Sequence, residues 1–418
     1  MIYHRLYGLA PSRTMNAHRN KLALFVSCTA LLSTAGLTSL GLAKIPEVRL
    51  APADASIGAR VGASVAADKD TVVLGAPDDD EGGPFAGAIY VYARHGQTWQ
   101  KQTKLLGRKT DGFRSFGEAV ALSGNALLVG APFDGPAGDA SGAAYVYARS
   151  GKQWIEQARL VPKDSAPAQL FGDAVAIDEN TAVVGAFLDS ERAPNAGAVY
   201  VFKRNSSKWI QTAKLTASDA SEYGFFGSAL AVKGLTIVVG SPIAQTAYVF
   251  TERDGRWIQQ AILTASDASF ATYTSFGAAV ATDGATIVIG APTDAPTEVN
   301  MGSVYVFRAK GQTWIEQSKL SASDAAGGDE FGTSVAIDGA QLAVGSPYHD
   351  GSNNGALYFF AQHGSTWRQQ ELFTGHPPTA FLGSSVSLVG KNVVGGAPAF
   401  VEYNGRQSAG AGYIYRVR

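Results

Sequence analysis

A seventeen-residue pattern is present in seven copies along the chain and constrains its fold more than any other feature. Its clearest copy, residues 276–292, opens with Phe-Gly, closes with Gly-Ala-Pro and holds two apolar runs joined by an Asp-Gly turn. Because glycine accepts the positive φ of a tight hairpin, this pattern predicts two short antiparallel strands. The opening glycine recurs every 50–55 residues, at Gly62, Gly117, Gly172, Gly227, Gly277, Gly332 and Gly383.

Each copy is followed by the same succession of segments. A loop leads to a third apolar run such as residues 142–147, a short polar turn follows, and a fourth run begins at a tryptophan. All six tryptophans of the chain take this place: Trp99, Trp154, Trp209, Trp257, Trp314 and Trp367. Four strands in a unit of about 50 residues predict a blade of a β-propeller. The repeats begin near residues 57, 112, 167, 222, 272, 327 and 378.

The two ends of the chain complement each other. The last repeat ends in its third strand, at residues 412–418, and no tryptophan run follows it. Residues 47–54 resemble the ends of two fourth strands, residues 211–219 and 317–324. We therefore predict an all-β, seven-bladed β-propeller of four-stranded antiparallel blades, whose N-terminal strand completes the last blade and removes two exposed sheet edges.

The repeated residues have structural explanations. The Phe of Phe-Gly is predicted to fill the wedge between adjacent blades, and its glycine to let backbones crowd near the axis. The proline of Gly-Ala-Pro lacks an N–H and ends the second strand. A tryptophan at one register in six blades indicates packing between blades rather than a platform for stacking a ligand.

Composition supports one propeller domain over residues 44–418. The 48 glycines and the 46% of hydrophobic residues suit many short strands and tight turns. No helix-period apolar stripe occurs after residue 43, so the length does not require a second domain.

Residues 1–43 are predicted to be an N-terminal extension and signal peptide. A basic segment, residues 15–21, precedes an apolar run over residues 22–42, and small residues suit cleavage between Ala43 and Lys44. An uncleaved membrane anchor and lipidation at Cys28 are the alternatives. Cys28 is the only cysteine, so the mature chain has no disulfide; this favours a bacterial envelope or secreted product.

Charge narrows the range of partners. Beyond residue 43 the chain carries 30 basic and 35 acidic residues, without a basic stripe. Nucleic acid is therefore not an expected partner. Membrane contact is expected only through the export signal, and the chain is expected to be a monomer.

The repeated Phe-Gly, Gly-Ala-Pro and Gly-x-x-Tyr-Val-Tyr/Phe segments resemble the FG-GAP repeat of integrin α-chain propellers and of many bacterial exported proteins. The resemblance spans residues 44–418. It implies a seven-bladed propeller used mainly for adhesion and protein recognition.

Integrin-type repeats often carry an Asp-x-Asp-x-Asp-Gly calcium loop. The first hairpins here are too short and too poor in carboxylates for one, as at residues 123–125 and 283–284. We expect no metal and no cofactor.

A candidate binding face follows from the strand order. Connections from second to third strands and from fourth to first strands emerge on one face and are the longer ones, and binding residues concentrate on such loops. An acidic residue recurs there soon after Gly-Ala-Pro, at Asp78, Asp134, Asp189, Asp294 and Asp350. These residues either form an acidic ring for a cation or basic ligand, or stabilise their own turns. A second series ends the fourth strands: Asp164, Asp219, Asp267 and Asp324.

No zinc-protease, nucleophile-elbow or phosphate-loop motif occurs in the chain. We therefore expect an exported, non-catalytic propeller that binds a protein or glycan partner in adhesion or recognition, through the face with the long loops. The alternative is a secreted polysaccharide hydrolase or lyase that uses carboxylates at the central mouth.

Overall fold

Seven antiparallel sheets of four strands each form the blades of a ring. The structure is a computed structural model, and it describes residues 48–108, 113–268, 273–351, 354–374, 381–398 and 408–417. First strands of neighbouring blades contact one another in a closed inner circle, which places the fourth strands at the rim. The predicted fold class is confirmed.

The strands follow the chain in order, four to a blade. Blade one holds β2 (Val65–Asp68), β3 (Thr71–Ala76), β4 (Ala88–His95) and β5 (Thr98–Leu106). Blade two holds β6 (Val120–Ser123), β7 (Ala126–Ala131), β8 (Ala143–Ser150) and β9 (Gln153–Leu160). Blade three holds β10 (Val175–Asp178), β11 (Thr181–Ala186), β12 (Ala198–Asn205) and β13 (Lys208–Leu215). Blade four holds β14 (Ala229–Lys233), β15 (Thr236–Ser241), β16 (Thr246–Arg253) and β17 (Arg256–Leu263).

The remaining three blades repeat this order. Blade five holds β18 (Ala279–Thr282), β19 (Thr286–Ala291), β20 (Ser303–Lys310) and β21 (Thr313–Leu320). Blade six holds β22 (Ser334–Asp338), β23 (Gln341–Ser346), β24 (Ala356–His363) and β25 (Thr366–Thr374), with a short 3₁₀ helix at His349–Gly351. Blade seven holds β26 (Ser385–Val389), β27 (Asn392–Ala397), β28 (Ala411–Arg416) and, from the start of the chain, β1 (Val48–Leu50).

The N-terminal strand closes the ring, as predicted. β1 pairs antiparallel with β28, with Val48 opposite Ile414 and Leu50 opposite Gly412. Leu50 is 2% exposed and packs in the core shared by blades seven and one. Because β28 would otherwise end blade seven with unpaired backbone groups, β1 both seals a sheet edge and adds to the core.

The glycines of Phe-Gly and Gly-Ala-Pro meet across each interface between blades. A Cβ added to Gly130 of blade two would lie 1.9 Å from the carbonyl oxygen of Gly172 in blade three, and one added to Gly396 would lie 2.0 Å from that of Gly62. Real Cβ atoms do not approach so closely, so only glycine permits this contact. The same contact joins all seven interfaces: Gly75–Gly117, Gly130–Gly172, Gly185–Gly227, Gly240–Gly277, Gly290–Gly332, Gly345–Gly383 and Gly396–Gly62.

Aromatic side chains fill the space that opens outward from these contacts. Phe116 is 1% exposed and meets the rings of Tyr145 and Tyr147 edge-on, in a core that includes residues of blades one and two. Trp154 joins the same core and donates from Nε1 to Gln102 Oε1 of blade one at 3.4 Å. Edge-to-face rings are a favoured aromatic geometry, so the packing roles predicted for these two residues are confirmed.

Several sequence predictions fall outside the described residues. These are the signal peptide within residues 1–43, the cleavage site at Ala43 and Lys44, and the repeat starts near 112, 272 and 378. Across the described ranges, no helix has the length and apolar character needed to cross a membrane.

The closing strand yields a test of ring stability. Leu50→Ala should lower the free energy of unfolding by about 2–4 kcal/mol, because it opens a cavity where blades seven and one meet. Leu235→Ala is the matched control, since Leu235 is 59% exposed at a hairpin tip and its loss should change stability by less than about 0.5 kcal/mol. Chemical denaturation of both variants measures the difference. Equal stabilities would contradict the closing role of β1.

Candidate functional site

Each blade carries a tyrosine at one register of its third strand. These side chains are buried, at 0–3% exposure, and comprise Tyr90, Tyr145, Tyr200, Tyr248, Tyr305, Tyr358 and Tyr413. The fourth-strand residues opposite them are Lys104, Arg159, Lys214, Ile262, Lys319, Leu372 and Arg49 respectively. Five blades thus place a cation beside the tyrosine.

The tyrosine hydroxyls bind carboxylates on the loop that follows the second strand. Tyr90 donates to Asp79 at 2.8 Å, Tyr200 to Asp189 at 3.1 Å and Tyr305 to Asp294 at 3.4 Å. Tyr145 donates to Asp134 in the same way. Each of these acids is the fourth residue after the glycine of the closing motif. We call each set of tyrosine, aspartate and fourth-strand cation a tyrosine cluster.

The tyrosine cluster of blade three is the most heavily charged. Lys214 Nζ lies 2.6 Å from Asp164, 3.0 Å from Asp189 and 2.5 Å from Glu191. Burial opposes the charge of Lys214, but its bonds to these carboxylates outweigh burial and raise its pKa above the ordinary value. An open pocket of about 380 Å³ lies here and includes all four residues in its lining. It is walled by fixed charges that already pair with one another.

Blades four and six lack both members of the ion pair. Blade four has Ala244 and Ile262 at the two positions, and blade six has His349 and Leu372. His349 is 8% exposed, and its Nδ1 lies 3.1 Å from the hydroxyl of Tyr358. In these two blades cation and carboxylate are absent together, because either one alone would leave a buried charge unpaired. Blade seven differs, since it has the exposed Arg49 and a phenylalanine, Phe400, at the fourth position after the closing glycine.

The five acids predicted as a site occupy three different registers. Asp134, Asp189 and Asp294 are 2–7% exposed inside tyrosine clusters. Asp78 lies one residue before the cluster position in blade one. It is half-buried, and the guanidinium of Arg60 binds it at 2.6 and 3.1 Å. Asp350 is exposed with φ 64°, one residue beyond the cluster position. The five do not form one ring, and ligand binding by them stays a prediction.

Some residues at the position of the clustered aspartates were missed by the sequence analysis. The spacing from the closing motif would have identified them. Counting four residues from its glycine gives Asp79 in blade one and His349 in blade six, in place of Asp78 and Asp350. The second acidic series belongs to the same clusters: Tyr305 donates to Asp267 at 2.8 Å and Tyr358 to Asp324 at 2.9 Å. Side chains alternate between the two faces along the third and fourth strands. This alternation could have been used to predict that the tyrosine lies opposite a lysine across the sheet.

Carboxylates also lie near the inner circle of first strands. Glu118 accepts a bond from Arg60 at 3.0 Å, across the interface between blades one and two. Burial, and then the charge of Glu118, raise the pKa of Asp173 to about 7. Burial raises the pKa of Glu330 in blade six to about 7. The enzyme alternative requires carboxylates with shifted pKa values of this kind.

Exposed apolar side chains are unevenly distributed between the faces. The connections between second and third and between fourth and first strands define the long-loop face. Six large apolar side chains on its connections are 42–75% exposed: Ile57, Phe85, Phe113, Tyr223, Tyr273 and Val299. Phe85 stacks on Phe113 with ring centroids 4.9 Å apart. On the opposite face, Leu235 is the only such side chain at a turn among the described residues.

A metal centre is not assembled by the described residues, among which no group of three or more His, Cys, Asp or Glu could hold an ion. Residues 352–353 and 399–407 lie outside that search.

The ring of antiparallel blades defines the chain as a seven-bladed β-propeller. A family model described as the FG-GAP repeat matches residues 46–92, 99–147, 154–202, 209–250, 257–307 and 314–360. The chain belongs to the FG-GAP repeat family. The resemblance drawn from the repeated motifs is thereby confirmed.

Solved structures with the same fold are distant in sequence. The "Structure of U3-55K" aligns with a TM-score of 0.54 and 11% identity, over 88% of this chain and 97% of that one. The "Crystal structure of RRP9 WD40 repeats" aligns with a TM-score of 0.54 and 12% identity, over the same shares. No curated protein gives a significant sequence match. At these identities the likeness shows the fold alone.

The ion pair of blade three can be tested with the residues of blade four. Lys214→Ile should lower the free energy of unfolding by about 2–3 kcal/mol, because it leaves Asp189 buried and ionised. Adding Asp189→Ala should recover half or more of that loss, since the double variant matches Ile262 and Ala244. A double-mutant cycle by chemical denaturation measures the coupling. Additive losses would show that the two residues stabilise the blade independently.

The ion pair between Lys214 and Asp164 makes stability depend on pH. Burial would raise the pKa of Asp164, but hydrogen bonds from Lys214 hold it below its ordinary value of 3.8. A depressed folded pKa stabilises the fold above the unfolded pKa, and this stabilisation is lost as pH falls through the folded value. The stability gap between the parent and Lys214→Ile should therefore be constant from pH 7 to 5 and shrink below about pH 4. The exposed Lys152→Ile variant should show no gap at either end, and a gap that persists at pH 3 would refute the electrostatic origin.

Proposed function

We propose that this protein is an exported, non-catalytic FG-GAP propeller that binds a protein or glycan partner through its long-loop face. The observation that carries the proposal is the set of exposed aromatic and aliphatic side chains on the loops of that face. Single exposed apolar side chains are common on soluble proteins, whereas contiguous ones mark interaction sites, and Phe85 and Phe113 are in contact.

Two features support a recognition surface on these loops. Phe85 and Phe113 belong to connections of neighbouring blades, and their stacked rings form one rigid apolar platform. Tyr223 meets the buried ring of Phe225 edge-on at 6.4 Å, and Phe225 meets Phe187 in turn at 5.5 Å. Exposed rings supported by a packed core bind a partner with little loss of side-chain entropy.

Export is proposed on the pattern of residues 15–43, with cleavage between Ala43 and Lys44. Mass spectrometry of the N-terminus of the protein recovered from its producing cell tests this step. A first residue at Lys44 would support cleavage. A chain retained in the membrane with residues 15–43 attached would favour the anchor.

A second candidate function is a secreted hydrolase or lyase acting on polysaccharide. It is favoured by the pKa values near 7 of Asp173 and Glu330, since shifted carboxylates are common at catalytic sites. Release of reducing ends from polysaccharides, abolished by Glu330→Gln and by Asp173→Asn, would establish this candidate against the proposed function.

The proposed function is tested by comparing two surface variants with the parent. The face variant carries Phe85→Ser, Phe113→Ser and Tyr273→Ser. The control carries Leu235→Ser, Ile155→Ser and Ile315→Ser, which remove equally exposed apolar groups from the hairpin tips and the rim. Both are immobilised with the parent and exposed to envelope and culture extracts, and captured protein and glycan are identified by mass spectrometry.

We expect a component that the parent and the control retain and the face variant loses. All three proteins must melt alike for the comparison to hold. Retention by the face variant with loss by the control would move the binding surface to the rim and refute the proposal. Capture of nothing by any of them would also count against a recognition role.

A further inference from the structure

On the long-loop face, blade four has a shorter connection than the other blades. Four residues join its second and third strands. β15 ends at Ser241 and β16 begins at Thr246, whereas residues 77–87 and 132–142 make this connection in blades one and two. The short turn is closed by the amide of Gln245, which donates to Pro242 O at 3.2 Å. The face therefore dips over blade four.

Three hydrogen bonds that involve side chains join this turn and the end of β15 to the loops on either side. Ser241 Oγ donates to Gly224 O at 2.6 Å. Gln245 Oε1 accepts bonds from the amide and the hydroxyl of Thr274, at 2.8 and 3.0 Å. Gly224 and Thr274 each directly follow a tyrosine. Tyr223 and Tyr273 therefore stand at opposite ends of the dip, which we call the blade-four recess.

Tyr223 is held in a conformation that suits a smaller residue. Its φ is 56°, and blades one and six have Gly58 and Gly328 at the same register, also with positive φ. Ala168 of blade three has the same register with φ 62°, so the left-handed conformation belongs to the fold. The Tyr223 ring remains 50% exposed, and that of Tyr273 is 46% exposed. Because blades one, three and six have Gly or Ala at this register, packing does not require a ring at position 223, and the exposed ring needs another explanation.

The recess is lined by neutral groups. Its floor consists of the half-buried Ile243, Ala244 and Gln245. Ala244 and Ile262 replace the ion pair that other blades place at this level. No described residue accepts a hydrogen bond from Gln245 Nε2, which leaves this amide group to donate to a ligand. The exposed Glu222, beside Tyr223, offers an acceptor at the edge.

We propose that the blade-four recess binds one neutral pyranose ring of a glycan. A pyranose presents C–H groups to the electron-rich faces of Tyr223 and Tyr273, and hydroxyls to Gln245 and Glu222. A peptide anchor would instead fill a deep apolar pocket, and the turn of residues 242–245 supplies only one large apolar side chain, Ile243. This inference rests on the proposed function and selects glycan over protein as the ligand of this subsite.

The test uses the full chain and four probes: the methyl glycosides of glucose, galactose, mannose and N-acetylglucosamine. Saturation-transfer NMR detects binding at millimolar concentration, and titration gives the Kd. We expect at least one glycoside to bind, and Tyr223→Gly and Tyr273→Ala each to weaken it about tenfold or more. Leu235→Ala removes a 59%-exposed apolar side chain from the opposite face and should leave the Kd unchanged.

Stability separates a lost contact from a lost fold. Because glycine suits the backbone at position 223, Tyr223→Gly should melt within about 2–4 °C of the parent while losing glycoside binding. Tyr223→Phe should keep both the melting temperature and the binding, since its ring face is retained. Equal Kd values in the parent, Tyr223→Gly and Tyr273→Ala would overturn the proposal, as would the absence of binding to all four glycosides.

Failure of the recess is distinguishable from failure of the proposed function. If no glycoside binds but the face variant still loses a protein partner, the glycan subsite is refuted and recognition through the long-loop face stands. If no glycoside binds and neither the parent nor the control captures a partner, both are refuted.

Discussion

The contact on which the ring depends is the meeting of two glycine backbones at each blade interface. Seven such contacts, from Gly75 against Gly117 to Gly396 against Gly62, leave no room for a side chain. They fix how closely the innermost strands approach, and thereby the width of the wedge farther out. Phe116 and its equivalents fill that wedge against the third-strand tyrosines. The family motif is thus a description of one interface, repeated until the circle closes.

Because these contacts use the same residues in every blade, the differences between blades are concentrated in the connections and in the tyrosine clusters. Blades four and six replace cation and carboxylate together, Ile262 with Ala244 and Leu372 with His349. The pairing of buried charges explains this coupling, since a lone Lys or Asp there would be destabilising. In blades four and six apolar or neutral residues are tolerated at these two positions because both charges are replaced.

The fold could be predicted from the sequence because its determinants are local and repeated. Phe-Gly, Gly-Ala-Pro and the tryptophans fix four strands per unit, and the resemblance of residues 47–54 to fourth strands gives the closure.

The site could be predicted only in part. Asp78 and Asp79 are adjacent acids, yet one binds Arg60 and the other Tyr90, and only the strand register separates them. Likewise Tyr223 is exposed and Phe225 buried, although the two lie two residues apart. Contacts between blades decide such cases, and these contacts join residues far apart in sequence.

The closing strand also sets an order of events when the chain is made. Leu50 lies opposite Gly412, so the earliest part of the propeller to be synthesised pairs with nearly the last. The first six blades are each continuous in sequence and able to assemble as the chain emerges, whereas blade seven cannot be completed before β28 has been made. Bringing such distant segments together carries a loop-closure cost in entropy, which adjacent blades reduce by holding the ends near each other. The ring can therefore close only after β28 has been synthesised, and until then β1 has no partner strand and is open to chaperones or other nascent chains.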